Sequence, residues 1–125
     1  FLYFPDSFQK PNPFTADIVV PIDSVMDRKL EAIDQLVSQF HEGGANGNAG
    51  MMPADPAGQK KRAAEVRDYF RNRQKNLRTR FQEAAVAWFG ADEAARIAYL
   101  EAFEICEYGR RPDKAELERL FPIHP

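Results

Sequence analysis

Five apolar residues recur at intervals of four, three, four and three positions in the first half of the chain, and this spacing restricts the fold more than any other feature. They are Met26, Leu30, Ile33, Val37 and Phe40. Residues at these intervals share one face of an α-helix, so the pattern predicts an amphipathic helix over residues 24–41. Asp23 stands just before this stretch and is of a residue type that caps helix N-termini.

A second helical stretch is predicted over residues 59–89, along which an apolar stripe runs. The stripe consists of Val66, Phe70, Leu77, Phe81, Ala84 and Trp88. A helix of that length would span about 45 Å, so we expect a break near residues 73–76. Gly90 follows, and glycine is the residue that most often ends a helix.

The remaining segments are short. Residues 1–4 and 18–20 are apolar or β-branched runs, each followed by a proline, which predicts two short strands. Residues 97–108 are ambiguous, because Glu and Ala favour a helix whereas several apolar residues alternate as in a strand. Residues 42–58 are rich in glycine, asparagine and proline, which predicts a long flexible loop.

The last predicted element is a short helix over residues 114–120. Asp113 and Glu116 have the spacing of a capping box, in which each side chain bonds the backbone amide of the other. With the short strands and the two longer helical stretches, the chain is expected to form an α/β fold in a single domain.

Composition excludes several classes of protein. At 125 residues the chain is long enough for one domain at most, and its 44% hydrophobic residues are enough for a modest core. A formal net charge of −2 gives no overall attraction to nucleic acid or to an anionic membrane. No apolar run approaches the roughly 18 residues of a membrane-spanning helix.

The opening residues and the cysteine content bear on origin and compartment. The chain opens in an apolar, aromatic run without an initiator methionine. We therefore expect it to be the C-terminal part of a longer polypeptide whose targeting segment is not visible. A single cysteine permits no internal disulfide, which fits the reducing cytoplasm.

No group of side chains in the sequence predicts a catalytic or metal site. His41 and His124 lack a second ligand at the spacing of known metal motifs. His41 ends the first predicted helix, where a solvated histidine would complement the helix dipole. Cys106 lies between Glu104 and Glu107, whose charges disfavour a reactive thiolate, so a buried structural cysteine is expected. No catalytic residue and no metal ligand is assigned to this chain.

Positive charge is concentrated between Lys60 and Arg80, where nine Lys or Arg accompany two acidic residues. The rest of the chain carries eight basic and seventeen acidic residues. Such a helix could follow the phosphates of a nucleic acid. We favour a solvated face that pairs with the acidic remainder, because the positive charges spread around the helix. Tyr69 and Phe70 fit the apolar stripe of this helix better than a platform for stacking bases.

Four segments, read in order, resemble one protein family. They are Tyr3-Phe4-x-Asp6-x-Phe8-Gln9-x-Pro11-x-Pro13-Phe14, then Ala16-Asp17-Ile18-Val19-Val20-x-Ile22-Asp23, then Asp27-Arg28-Lys29-Leu30-x-Ala32-Ile33 with Ser38-Gln39, and Tyr99-x-Glu101-Ala102-Phe103-Glu104. In this order and spacing they resemble the C-terminal half of the LmbE-like (PIG-L type) deacetylases. The resemblance covers most of the chain outside residues 42–58.

The resemblance implies a Rossmann-like α/β fold and a single zinc ion. In that family the zinc activates water to hydrolyse the N-acetyl group of an amino sugar, with a carboxylate as base. The family's zinc ligands lie in an N-terminal His-Pro-Asp-Asp motif and in a later histidine, and all of these would precede residue 1. The N-terminal half of the same protein is therefore the implied partner, and it would hold the zinc. A histidine common in the family's Ala-Leu-x-x-His-x-Ser-Gln helix is replaced here by Leu36.

The leading hypothesis is the C-terminal portion of a zinc-dependent N-acetyl-sugar deacetylase, which completes the sheet and lines the substrate pocket. Sites in parallel α/β sheets lie beyond the carboxyl ends of strands, so the strand at residues 1–4 would bring Asp6 and Gln9 to the pocket rim. Arg110 could hold an anionic substrate group bidentately. These three residues are the predicted substrate contacts.

Two alternatives remain open. The first is a helical module that binds nucleic acid or another protein through the basic residues 60–80. The second is a purely helical interaction module without a pocket, which requires a helix over residues 97–108.

Overall fold

Three short strands form the sheet of this protein. The computed structural model describes residues 1–5 and 13–123. Within them, β1 (Leu2–Tyr3), β2 (Ile18–Pro21) and β3 (Leu100–Ile105) form a sheet in the order β1-β3-β2. β1 and β2 thus flank a central strand that comes from the far end of the sequence.

Both strand pairs are antiparallel, and their register settles the ambiguity over residues 97–108. Ile18 lies opposite Phe103 and Pro21 opposite Leu100, while Leu2 lies opposite Ile105. Pairing on both sides fixes Leu100–Ile105, within this stretch, as a strand, so the hypothesis of a purely helical module is wrong. The parallel sheet on which the rim position of Asp6 and Gln9 depended is not found among the described residues.

The first predicted helix is divided in two. α1 covers Met26–Asp34 and α2 covers Val37–Phe40. Between them, the amides of Gln35 and Leu36 donate to carbonyls three residues back, at 3.2 and 3.0 Å. This tighter turn ends α1, so the single helix predicted over residues 24–41 is wrong in its continuity although its two halves are helical.

Asp23 does not cap α1 as predicted. Val25 stands at the N-cap without a side-chain hydrogen bond. The carboxylate of Asp23 instead accepts hydrogen bonds from the amides of Ala98 and Tyr99, at 2.9 and 3.3 Å. It therefore holds the chain just before β3 rather than the start of a helix.

The long helical stretch breaks later than predicted. α3 covers Pro56–Arg80, α4 covers Gln82–Phe89, and the two meet at Phe81 rather than near residues 73–76. Phe81 leaves helical geometry, with φ −108° and ψ 27°, and its ring is buried 5.5 Å from that of Phe14. Burial of this ring thus accompanies the break in the helix.

Two short helices complete the fold. α5 covers Ala91–Arg96 and begins directly after Gly90, which ends α4 as predicted. α6 covers Lys114–Leu120, as predicted, and the carboxylate of Asp113 accepts from the amide of Glu116 at 2.9 Å. None of the helices in the described segments combines the length and the apolar character needed to cross a lipid bilayer.

The glycine-rich segment contains more local structure than a loop requires. Single 3-10 turns cover Gly44–Asn46 and Ala49–Met51, and α3 already begins at Pro56. A side chain on Gly47 would meet the carbonyl oxygen of Glu42 at 1.7 Å, so only glycine fits there.

The fold is therefore of mixed α/β class, with six helices and a three-stranded antiparallel sheet in its described residues, and it divides into two compact units. The first comprises Phe1–Asp23 and Gln74–Pro125, and the second comprises Ser24–Arg73. The core of the first unit contains seven buried residues from β2, the α3–α4 junction, α4, α5, the residue after α5, and β3. They are Val19, Phe81, Ala85, Ala94, Ile97, Leu100 and Ala102. The second unit buries the apolar face of α1 and part of α3.

Candidate functional site

A pocket of about 390 Å³ opens beside the end of β3 in the first unit, and we name it the Arg110 pocket. Leu2, Cys106 and Tyr108 line it together with Arg110, and α6 contributes Leu117. Mostly apolar walls with a single guanidinium are typical of a site that orients a small ligand by few polar groups. Of the three predicted substrate contacts, only Arg110 lies in the described residues, since Asp6 and Gln9 fall outside them.

The guanidinium of Arg110 is engaged by a carboxylate of α6. Both of its terminal nitrogens donate to Glu116. This bidentate hydrogen bond raises the pKa of Arg110 above its ordinary value. The same bond holds the pKa of Glu116 below its ordinary value of 4.5, against the opposing effect of desolvation. Arg110 therefore presents a permanent positive charge to the pocket, and an anionic ligand group would share it with Glu116.

Asp17 anchors the residues that lead from β3 into the Arg110 pocket, and sequence reasoning gave it no such role. Its carboxylate accepts from the amide of Ile105 at 2.7 Å and from the guanidinium of Arg111 at 3.1 and 3.2 Å. It lies 88 positions from Ile105. No local pattern signals a contact over that distance, although Asp17 belongs to one of the segments that carry the family resemblance.

Cys106 is buried, as predicted, and it faces Tyr3. The thiol donates to the Tyr3 hydroxyl at 3.1 Å. Interactions with the side chains of Cys106 and then Glu107, which disfavour the phenolate, raise the pKa of Tyr3 above its ordinary value. Tyr3 is therefore neutral at physiological pH, and the pair ties β1 to the residue after β3.

In the second unit, His41 is buried next to an ion pair, so the prediction of a solvated histidine is wrong. Only 3% of His41 is exposed, and its Nε2 lies 3.3 Å from Oδ1 of Asp34. The other carboxylate oxygen of Asp34 accepts from Nε of Arg67 at 2.7 Å. These three side chains join α1, α3 and the residue that follows α2.

The described residues do not fit a zinc ion. A zinc site needs three or four nitrogen, sulfur or oxygen ligands in one place. Nowhere in residues 1–5 and 13–123 do three His, Cys, Asp or Glu side chains come together in a group that could hold a metal. His124 lies outside the described residues.

Many of the positively charged side chains of α3 make contacts within the protein. Arg67 and Arg71 pair with aspartates of α1. Arg62 and Arg78 donate to backbone carbonyls at the ends of α2 and α5. These contacts agree with the interpretation that the helix pairs with the acidic remainder, and they leave fewer donors for the phosphates of a nucleic acid.

Comparison with known proteins yields no relative. No protein-family model, no curated protein and no solved structure matches this chain.

Proposed function

We propose that this chain is the C-terminal portion of a metal-dependent N-acetyl-sugar deacetylase of LmbE (PIG-L) type, in which it completes a Rossmann-like sheet and forms one wall of the substrate pocket. In this proposal the N-terminal half of that protein holds the zinc, because the ligands of the family that the chain resembles lie there. What this chain contributes is the frame around Arg110.

One observation carries the proposal. Three of the four segments that carry the family resemblance meet in one sheet, although they lie far apart in sequence. Tyr3 pairs with Glu104, and Ile18 pairs with Phe103. The proposal requires these segments to form one sheet, and the strand pairs of the structure agree with that requirement.

A second feature agrees with a pocket-lining role. Asp17, from the second of these segments, holds the chain at Ile105, which lines the Arg110 pocket, and at Arg111, which follows Arg110. The segments that resemble the family thus support the pocket as well as the sheet. An amino sugar is small enough for a volume of about 390 Å³.

The deciding experiment compares the complete product of the gene with the 125-residue chain. Zinc is measured by atomic emission, and acetate release is measured with an N-acetylated amino sugar. We expect about one zinc per molecule and acetate release from the complete product, and neither from the 125-residue chain. A complete product without zinc or activity, or stoichiometric zinc on the 125-residue chain, would each overturn the proposal.

Arg110 is tested in the complete product by Arg110→Gln. The loss of a charge-assisted contact predicts a KM about tenfold higher or more. Arg96→Gln is the matched control, because Arg96 also pairs with a glutamate in the first unit but does not line the pocket. If the two substitutions changed KM equally, Arg110 would not be a substrate contact.

A further inference from the structure

A second pocket, of about 410 Å³, lies within the second unit between the end of α2 and one face of α3. We name it the Tyr69 pocket. Phe40, Tyr69 and Phe70 supply its aromatic walls, and Arg62, Glu65 and Arg73 its charged groups. Its volume falls in the range of small-molecule sites.

The aromatic walls are fixed by contacts with one another. The rings of Phe40 and Phe70 meet edge to face at 4.8 Å, and those of Tyr69 and Phe70 do so at 5.2 Å. Phe70 is 9% exposed, whereas Tyr69 is 63% exposed and was wrongly predicted to face the core. The buried ring of Phe70 thus positions the exposed ring of Tyr69, whose face is available to a planar apolar group.

The charged groups of the Tyr69 pocket differ in how fully they are engaged. Arg62 donates to the carbonyls of Phe40 and His41 at 3.2 and 3.0 Å and lies 3.8 Å from Glu65. Arg73 is exposed, and within the described residues it makes neither a hydrogen bond nor an ion pair. Two guanidinium groups against one carboxylate give the pocket a positive balance, with Arg73 as the available donor.

We propose that the Tyr69 pocket binds a small aromatic carboxylate. The ring lies against Tyr69 and Phe40, and the carboxylate accepts two hydrogen bonds from the guanidinium of Arg73, the geometry that arginine prefers with a carboxylate. Arg62 fixes the wall by holding the end of α2. This proposal goes beyond the deacetylase role and does not depend on it.

The test uses the 125-residue chain, with 2-naphthoate as the probe and backbone amide NMR shifts as the readout. We expect saturable shifts confined to residues 39–43 and 62–73. The neutral analogue 2-naphthylmethanol should bind with a dissociation constant at least about tenfold higher, because it lacks the charge that Arg73 recognises. Inorganic phosphate, an anion without a ring, should cause no saturable shift at these amides.

Two variants locate the interaction. Arg73→Gln should raise the dissociation constant for 2-naphthoate about tenfold or more. Lys60→Gln removes one charge from the same helix away from the pocket and should leave that dissociation constant unchanged. Tyr69→Ala should weaken the binding of 2-naphthoate and of 2-naphthylmethanol by the same factor. The proposal is overturned if 2-naphthoate causes no saturable shift at these amides, if phosphate causes the same shifts, or if Arg73→Gln and Lys60→Gln bind the probe equally well.

Discussion

Asp17 makes more long-range polar contacts than the sequence gives reason to expect of one aspartate. Its carboxylate serves the backbone of Ile105 and the side chain of Arg111. Asp17→Ala leaves the part-buried amide of Ile105 without its acceptor, so we expect the free energy of unfolding to fall by about 1–3 kcal/mol. Urea denaturation followed by circular dichroism measures this.

Arg111→Gln is the control for that substitution. The Arg111 side chain is 59% exposed, and exposed ion pairs contribute about 0–1 kcal/mol. If Asp17→Ala cost no more than Arg111→Gln, the bond to Ile105 would not be what makes Asp17 important.

Glu116 gives the Arg110 pair a predictable dependence on pH. Arg110 holds the pKa of Glu116 below 4.5 in the folded protein. A carboxylate of this kind stabilises the fold fully above its unfolded pKa, and the effect is lost as the pH falls through the folded pKa. We expect wild type to lose more stability than Glu116→Gln as the pH is lowered from 5 towards 3.

Urea midpoints measured at intervals of half a pH unit for both proteins provide the comparison. Parallel curves over this range would mean that the Arg110–Glu116 bond contributes nothing in solution. Glu118→Gln is a suitable control, because Glu118 lies in the same helix and its ion pair with Lys114, at 3.8 Å, is exposed on both sides.

Among the helices and strands, the bounds of α6 could be predicted from the sequence, whereas the break at Phe81 and the strand β3 could not. α6 is set by a capping contact between residues three apart, Asp113 and Glu116. The break at Phe81 accompanies packing against Phe14, and the state of residues 97–108 depends on pairing with β1 and β2. These contacts join residues far apart in sequence, so no local pattern encodes them.

The candidate site shows the same division. Burial of Cys106 was predicted from its immediate neighbours, which are close in sequence. Arg110 and its partner Glu116 are only six residues apart, and His41 and Asp34 only seven. Neither pair lies within a single helix, so each contact depends on the path of the turn between the two residues.

Gly90 separates α4 from α5 with a backbone that other residues rarely adopt. Its φ is +81° and its ψ is 165°, while the space around a would-be Cβ is open. Gly90→Ala should therefore destabilise the fold through conformational strain alone, by about 1–3 kcal/mol. Thermal or urea unfolding measures the change, and Ala91→Ser at the exposed neighbouring position should stay within about 0.5 kcal/mol of wild type. A fully stable Gly90→Ala protein would contradict this backbone geometry.

The charge distribution of the protein leads us to expect weak binding to nucleic acid. Its net charge is −2, and several arginines of α3 are paired with its own acids and carbonyls. We expect a dissociation constant weaker than about 100 µM for duplex DNA at physiological salt. Fluorescence anisotropy measures it. Micromolar affinity that falls steeply with added salt would favour a nucleic-acid-binding module instead.

The central position of β3 has a consequence for biosynthesis. β1 and β2 both pair with β3 and not with each other. While the ribosome is still making the intervening helices, neither β1 nor β2 has its partner strand, so their apolar residues remain unpaired in the nascent chain. The sheet can close only after Ile105 has left the exit tunnel, so a chain stopped before Leu100 would expose two unpaired strand edges to aggregation or to chaperones.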